Sequence, residues 1–356
     1  MLKFYMVIIM DKRIEKLMSS VSHGQGVLIS SKANIFYYSG FTSEDCLLYI
    51  SNDRRALLTD SRYTVQAKQE TSGFEIISDN ITDYLKSTEE KTILFEENYL
   101  TVGEKQRLEQ KLQGKEFLPF QGSISNPRYI KDKEEIKKIK SAEALGDAAF
   151  EHILKIIKSG ISEKDIALEL EFFMKKNGAS GLSFETICAS GVRSSMPHGT
   201  ASDKIIMPGE LLTLDFGCVL DGYCSDMTRT VVIGKATDRQ KEIYNLVLNA
   251  QKTALDALMP SLACADADKA ARDVICSGGY KENFGHSLGH SVGIEIHEAP
   301  NLSPKSKDIL TAGNVVTVEP GIYIEDFGGV RIEDLVVITD NGMENLTCSP
   351  KELIII

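Results

Sequence analysis

Only six histidines occur in the 356 residues, and three of them, His286, His290 and His297, fall in the single run FGHSLGHSVGIEIHE at 284–298. Imidazole titrates near neutrality and is the commonest nitrogen ligand for metals, so this crowding marks a place where protons or a cation are handled. In the same half of the chain, acidic residues stand where strands ordinarily exclude them. Asp215 closes the apolar run LLTLDFG and Asp226 opens SDMTRTVVIG, while Glu319 lies inside NVVTVEPGIYI and Glu333 inside VRIEDLVVIT. The Asp221-Gly222 turn between the first two makes them a hairpin that is expected to bring Asp215 and Asp226 face to face. A carboxylate removed from water without a partner costs several kcal/mol or gives up its charge. Four in such contexts call for a shared counter-charge.

A divalent cation is the simplest one. Four carboxylates with one imidazole form a mostly oxygen set, which suits hard or borderline ions (Mn, Co, Fe or Zn) rather than a thiolate zinc site. That is more than one ion needs, whereas bridging carboxylates hold two ions about 3.5–4 Å apart. One histidine of the run then serves as ligand, leaving others for proton handling and oxyanion stabilisation. Taken singly, each residue is a weaker signal, since an acid at a strand end is commonly a surface residue. His286 and His290 have the i, i+4 spacing of a zincin helix, yet the glutamate of that motif is absent and Gly285, Gly289 and Gly293 oppose a helix. The DFG at 215–217 is also a kinase tripeptide, but no glycine-rich loop, VAIK or HRD accompanies it. His198 follows a proline in the polar loop SGVRSSMPHGTAS. The joint occurrence carries the argument.

These residues need a frame. From about residue 11 to 122, short apolar runs alternate with polar stretches: Gly26–Ser30, Cys46–Ile50, Ala56–Thr59 and Thr92–Phe95 are expected strands, and TVGEKQRLEQKLQG, stopped by Gly114, an expected helix. This half is expected to form an α/β domain, in which the lone His23 is structural. Asn126-Pro127 signals a turn, and the boundary is set near Ser125, giving domains 1–124 and 125–356. A helical pattern then runs from Ile136 towards Gly160. A second helix follows in ISEKDIALELEFFMKKNGAS, where Ser162 and Asp165 resemble a capping box and Gly178 the stop. Further helices are expected at about 237–258 and 265–277. Strands and helices do not strictly alternate here, so the second half is α+β.

A formal net charge of −11 argues against a nucleic-acid or anionic-membrane partner. The seven cysteines are odd in number, scattered and without a C-x-x-C pair, which is the usage of reduced thiols in a cytoplasm. The N-terminal MLKFYMVIIM is too short an apolar run to span a bilayer and no cleavage site follows it, so the expectation is a start at Met10 rather than a signal.

The ordered set LLTLDFG, SDMTRT, GHSLGH, HE, TVEPGIY and VRIED resembles the Xaa-Pro peptidases, the prolidase and aminopeptidase P group of the pita-bread metallopeptidases. Upstream, GVLISSKANIFYYSGF and ALLTDSRYTVQA are similar to that group's creatinase-like N-terminal α/β domain, so the likeness covers nearly the whole chain. The resemblance implies a pita-bread catalytic domain holding two divalent ions (Mn, Co or Zn) per chain. Asp215 would chelate one ion, His290 and Glu319 the other, and Asp226 and Glu333 would bridge them. It implies a water or hydroxide shared by the metals as nucleophile, with Glu319 as general base. His297 would stabilise the oxyanion, His198 would lie against the proline ring, and His286 would help position the substrate. Arg331 and Tyr323 would support the carboxylate network. The implied reaction is hydrolysis of an N-terminal Xaa–Pro bond in a dipeptide or short peptide. The implied assembly is a homodimer in which the N-terminal domain, often a partner's, closes one side of the site.

Three rival readings remain. Methionine aminopeptidases share the catalytic fold and ligands but are shorter and lack the extra domain. Creatinase shares both domains without metal, and some relatives are non-catalytic binding proteins that have lost ligands; the complete ligand set opposes both. Dipeptidase versus aminopeptidase specificity, and the native metal, stay open.

Overall fold

Val27, Leu28 and Ile29 are buried on both faces of a strand, Gln25–Ile29, that lies in the interior of a six-stranded sheet. The computed structural model describes residues 2–43, 45–121 and 124–356, excepting the side chains of residues 2–8. It divides into two units, one up to Arg128 and one of Tyr129–Ile356, against an expected division after residue 124. In the first unit the strand order is Glu75–Ile77, Arg55–Leu58, Leu47–Ile50, Gln25–Ile29, Thr92–Phe95, Glu116–Pro119, with parallel and antiparallel pairings mixed. The four central strands are the four expected from the sequence, each within a residue or so. The two edge strands escaped notice because they are short and half-exposed, and one ends in Pro119, which edges tolerate. The expected helix forms over Val102–Lys111, with Thr101 and Glu104 in a reciprocal capping box. The N-terminal apolar run lies in helix Leu2–Met18; the side chains of its first residues are outside those described. No helix among the described residues is long and apolar enough to cross a membrane.

The second unit is α+β. Strands Met227–Val232, Leu211–Phe216 and Ile187–Ser190 form one antiparallel sheet, against which helices Lys133–Ile153 and Glu163–Lys176 bury Phe150, Ile153, Ile166 and Leu170. A second sheet has the order Glu298–Leu302, Gly289–Ser291, Val315–Val318, Asp334–Thr339, Gly342–Asn345. Helices Asp238–Ala257 and Cys264–Ser277 cover it with Ile243, Val247, Ala271 and Ile275. A hairpin, Gly321–Ile324 with Gly328–Arg331, completes the frame. The first helix begins at a capping box, Asp132 with Glu135, but stops at Ile153 rather than near Gly160. Beyond it the amides of Ile156 and Ile157 both donate to the Ile153 carbonyl, so the buried Ile157 keeps the apolar period while the backbone leaves the helix.

Three details place the acidic residues. In the antiparallel register Asp215 lies opposite Thr228, so Asp226 is its diagonal neighbour on the same face rather than directly across. The hairpin beyond them turns at Asp221 (φ 50°) and Gly222 (φ 81°), a two-residue turn whose left-handed backbone suits both residues. The runs around Glu319 and Glu333 are not continuous strands. Each breaks at the acid, at Glu319-Pro320 and at Ile332-Glu333, and the chain crosses there from one sheet to another.

Gly289 precedes His290 where two strands nearly touch: a Cβ there would stand 2.0 Å from the Thr317 carbonyl oxygen. Gly289→Ala must therefore push the strand outward. The expected result is a loss of about 1–3 kcal/mol in urea unfolding, the usual cost of overpacking.

Candidate active site

Asp215, Asp226 and Glu333 converge, each offering a carboxylate oxygen within 4.8 Å of the others. His290 joins them through Nε2, which lies 3.5 Å from Asp226 Oδ2 and 3.5 Å from Glu319 Oε1. All five groups expected as ligands therefore meet, in a cavity of about 650 Å³ that His198, His286, His297 and Arg331 also line. Their backbones are pinned from different elements. The Asp226 amide donates to Glu143 Oε2 at 3.2 Å, the Glu319 amide to the Leu288 carbonyl at 2.8 Å, and the Glu333 amide to the Thr228 carbonyl at 3.1 Å.

Side-chain partners are few. Thr228 donates to Glu333 Oε2 at 2.6 Å and accepts from Arg331 Nε at 3.0 Å. Thr317 donates to Glu319 Oε1 at 3.2 Å. Arg331 Nη2 donates to Asp215 Oδ2 at 2.6 Å, and its Nη1 to the Tyr323 hydroxyl at 2.7 Å and to the Pro197 carbonyl at 3.2 Å. Tyr323 in turn lies 3.0 Å from His286 Nε2, and His286 Nδ1 lies 2.8 Å from the Ser287 carbonyl. Since a carbonyl only accepts, Nδ1 carries the proton and Nε2 accepts from Tyr323. His290 follows the same rule: Nδ1–H donates to the Ser291 carbonyl at 3.2 Å, which leaves the Nε2 lone pair facing Asp226 and Glu319. The His297 ring lies edge-on to His290 with centroids 4.4 Å apart.

Four carboxylates thus share one guanidinium, and the electrostatics record the imbalance. Burial, then the charges of Glu333 and Asp215, raises the Asp226 carboxyl well above its ordinary value. Burial, then Glu319 and Asp215, does the same to Glu333. Burial lifts Glu319 to about 8 although Arg331 opposes it. His290 is pushed down to about 4 by burial and then by His297, and His286 to about 4 by burial and then by Arg331. Asp215 Oδ1 is buried with no hydrogen-bond partner among the described residues. Oxygen lone pairs converging from four acids that burial makes costly to ionise, beside a neutral imidazole, are what a divalent cation satisfies, so the donor set fits metal.

The structure brings together every site residue expected from the sequence, with His198 and His297 exposed to the cavity and the others more enclosed. It adds three that sequence reading missed. Thr228 is the hydroxyl that joins Arg331 to Glu333, Thr317 orients Glu319, and Glu143, fully buried, fastens Asp226. A signal existed for Glu143, a charged residue on the apolar face of its helix beside Ile139 and Ala142.

The profile of metallopeptidase family M24 matches residues 137–340, and that of the creatinase/prolidase N-terminal domain matches residues 12–130. The chain is similar to a Xaa-Pro dipeptidase of Pyrococcus furiosus, 39% identical over 97% of this chain and 100% of that protein. Among solved structures it is similar to a Xaa-Pro dipeptidase from Bacillus anthracis, with a TM-score of 0.94 and 43% identity over 98% of this chain and 100% of the other. It also resembles an X-Pro aminopeptidase from Thermotoga maritima, with a TM-score of 0.90 and 40% identity over 96% and 99%.

The raised carboxyls set a pH dependence. Glu319 holds its proton up to about 8 in the folded chain but releases it near its ordinary 4.5 when unfolded. The metal-free folded state therefore keeps this proton where the unfolded one does not and loses stability as pH rises through that window, with Asp226 and Glu333 acting in the same direction and the lowered His286 and His290 opposing them only below their ordinary 6.5. The melting temperature of chelator-treated protein should fall between pH 6.5 and 8, above the range in which His286 and His290 act the other way, and saturating divalent metal should flatten the slope. A metal-free Tm that climbs over the same range would contradict the burial of these acids.

Proposed function

Because the chain belongs to metallopeptidase family M24, with a creatinase/prolidase N-terminal domain ahead of the catalytic one, we propose that it hydrolyses the N-terminal Xaa–Pro bond of dipeptides and short peptides. It is a hydrolase of pita-bread architecture, and its family is one of divalent-metal enzymes. The observation that carries the substrate reading is the complete five-group cluster in a cavity that His198 and His297 also line. The relatives are two Xaa-Pro dipeptidases and an X-Pro aminopeptidase, which share the Xaa–Pro bond. A methionine aminopeptidase-like or non-catalytic reading lacks support, since the N-terminal domain is present and no ligand position is lost.

Asp215, Asp226, His290, Glu319 and Glu333 would hold two ions (Mn, Co or Zn), with Asp226 and Glu333 shared. Bound there, such ions neutralise the acids, polarise the scissile carbonyl and acidify water. Glu319, aimed by the Thr317 hydroxyl at 3.2 Å, takes the proton of the attacking water and passes it to the departing proline nitrogen. The leaving nitrogen must gain a proton as the C–N bond breaks, and that delivery supplies it. His297 donates to the carbonyl oxygen as negative charge builds on it. His198 packs beside the proline ring, His286 keeps the substrate in register, and Arg331 with Tyr323 holds Asp215 and His286 in place. The unpaired cysteines suit a reducing compartment, and we assign the enzyme to the cytoplasm as a homodimer.

Metal-stripped protein reconstituted with Mn²⁺, Co²⁺ or Zn²⁺ should hydrolyse an Xaa-Pro dipeptide, and comparison with an Xaa-Pro-Xaa-Xaa peptide reads how far the cavity extends beyond proline. Metal bound with neither substrate cleaved would overturn the proposal. His297→Ala should retain its metal and lose roughly 10²–10³ in turnover, the common cost of one oxyanion donor. Metal content and single-turnover rates check this, and near-normal turnover would remove His297 from the mechanism.

A further inference from the structure

A fully buried carboxylate outside the ligand set faces the loop that carries His198. Glu163 opens helix Glu163–Lys176 and has no exposed surface. Its Oε1 accepts from the Ser190 amide at 2.7 Å and the Ser190 hydroxyl at 2.9 Å. Its Oε2 accepts from the Ser202 hydroxyl at 2.7 Å, the Ser202 amide at 3.2 Å and Arg193 Nε at 3.0 Å. Ser190 and Ser202 are the two ends of one loop, and between them Pro197, His198 and Thr200 line the cavity. A single side chain therefore fastens both ends of that loop. Arg193 extends the clamp inward, since its Nη2 donates to the Thr200 carbonyl at 2.6 Å. The far side is tied to the active site through Arg331, which donates to the Pro197 carbonyl. The His198 side chain has no hydrogen-bond partner among the described residues, so its place is set by the loop alone.

We infer that Glu163 is a positioning residue for the peptidase reaction: by clamping the loop at Ser190 and Ser202 it holds His198 where the substrate's proline docks. The inference rests on the reading of His198 given above. The chemistry of the clamp is specific to a carboxylate. Five donors converge on two acceptor oxygens, and ionised acceptors make the stronger bonds. Glu163→Gln would turn an amide NH₂ towards one set of donors and leave them unsatisfied inside the protein. One end of the loop would then come loose while the metal ligands, on other strands, stay in place.

The test is a double-mutant cycle of E163Q and H198A, with kcat and KM measured on an Xaa-Pro dipeptide beside metal stoichiometry. E163Q should lower kcat/KM by about tenfold, mostly through KM, with metal content unchanged, and should cost nothing further once His198 is gone, because coupled residues are not additive. An equal loss in both backgrounds, or a loss of metal, would overturn the inference and leave the role of His198 standing. H198A with wild-type kinetics would instead overturn the reading of His198 itself. If E163Q does not fold, S202A takes its place in the cycle, where a loss of roughly threefold is expected in the wild-type background and none in H198A.

Discussion

Four carboxylates and an imidazole are held together with little access to water, and among the described residues Arg331 is the single cation hydrogen-bonded to them. Left alone, such a group would spread apart or take up protons, since buried like charges are costly at low effective dielectric. The surrounding structure prevents the first outcome. Each acid whose pKa is raised has its own backbone amide bonded to a different element, so that Asp226, Glu319 and Glu333 cannot withdraw without breaking a backbone hydrogen bond. Thr228 is the centre of this restraint: its hydroxyl links Arg331 to Glu333, its carbonyl receives the Glu333 amide, and it lies opposite Asp215 in the sheet. The energy that keeps the acids in place comes from two sheets with their helices. What a cation recovers on binding is the cost those sheets impose.

Glu333 and Asp334 show how partners decide what a buried acid is for. They are adjacent and almost equally inaccessible. Burial would raise both, yet Arg229 and Lys351 hold the Asp334 carboxyl below its usual value while Glu333, facing other acids, goes the other way. Asp334 accepts from Arg229 at 2.8 Å, Lys351 at 2.7 Å, Gln251 at 2.9 Å and Asn345 at 2.7 Å. Arg229 also donates to the carbonyls of Thr228, Glu333, Ser349 and Pro350, which draws the C-terminal segment under the strands that carry Asp226 and Glu333. One acid is satisfied by protein and has a structural part; its neighbour has the Thr228 hydroxyl as its side-chain partner among the described residues and otherwise faces other acids.

That distinction explains what could be read from the sequence and what could not. Asp215, Asp226, Glu319 and Glu333 were legible because a charge inside an apolar run conflicts with the run, and the histidine cluster because the residue is scarce. The central strands and the helices were legible through periodicity and caps. Thr228 and Thr317 were not, since threonine is an ordinary strand residue and only the fold reveals its partner. Glu163 reads as a common helix glutamate until the packing shows it fully buried. The diagonal relation of Asp215 and Asp226 depends on register, which a two-residue hairpin elsewhere in the ribbon sets. The breaks at Glu319-Pro320 and Ile332-Glu333 were hidden because both flanks are apolar, although Pro320, lacking an N–H, could not have continued a ladder.

The four histidines of the cavity separate into two kinds on geometry. His286 and His290 each donate Nδ1–H to the next residue's carbonyl, which fixes the tautomer and turns Nε2 inward, to Tyr323 in one case and to the acids in the other. Both are pushed down to about 4, so they stay neutral near pH 7 and serve as fixed acceptors rather than as proton donors. His198 and His297 are exposed, and their rings make no hydrogen bond among the described residues. A ring with both nitrogens uncommitted can meet a ligand that arrives with its own carbonyl and ring, whereas His286 and His290 each have Nδ1 already spent on a backbone carbonyl. The crowding of histidine in residues 284–298 therefore joins two kinds of ring, His286 and His290 fixed by backbone carbonyls and His297 uncommitted.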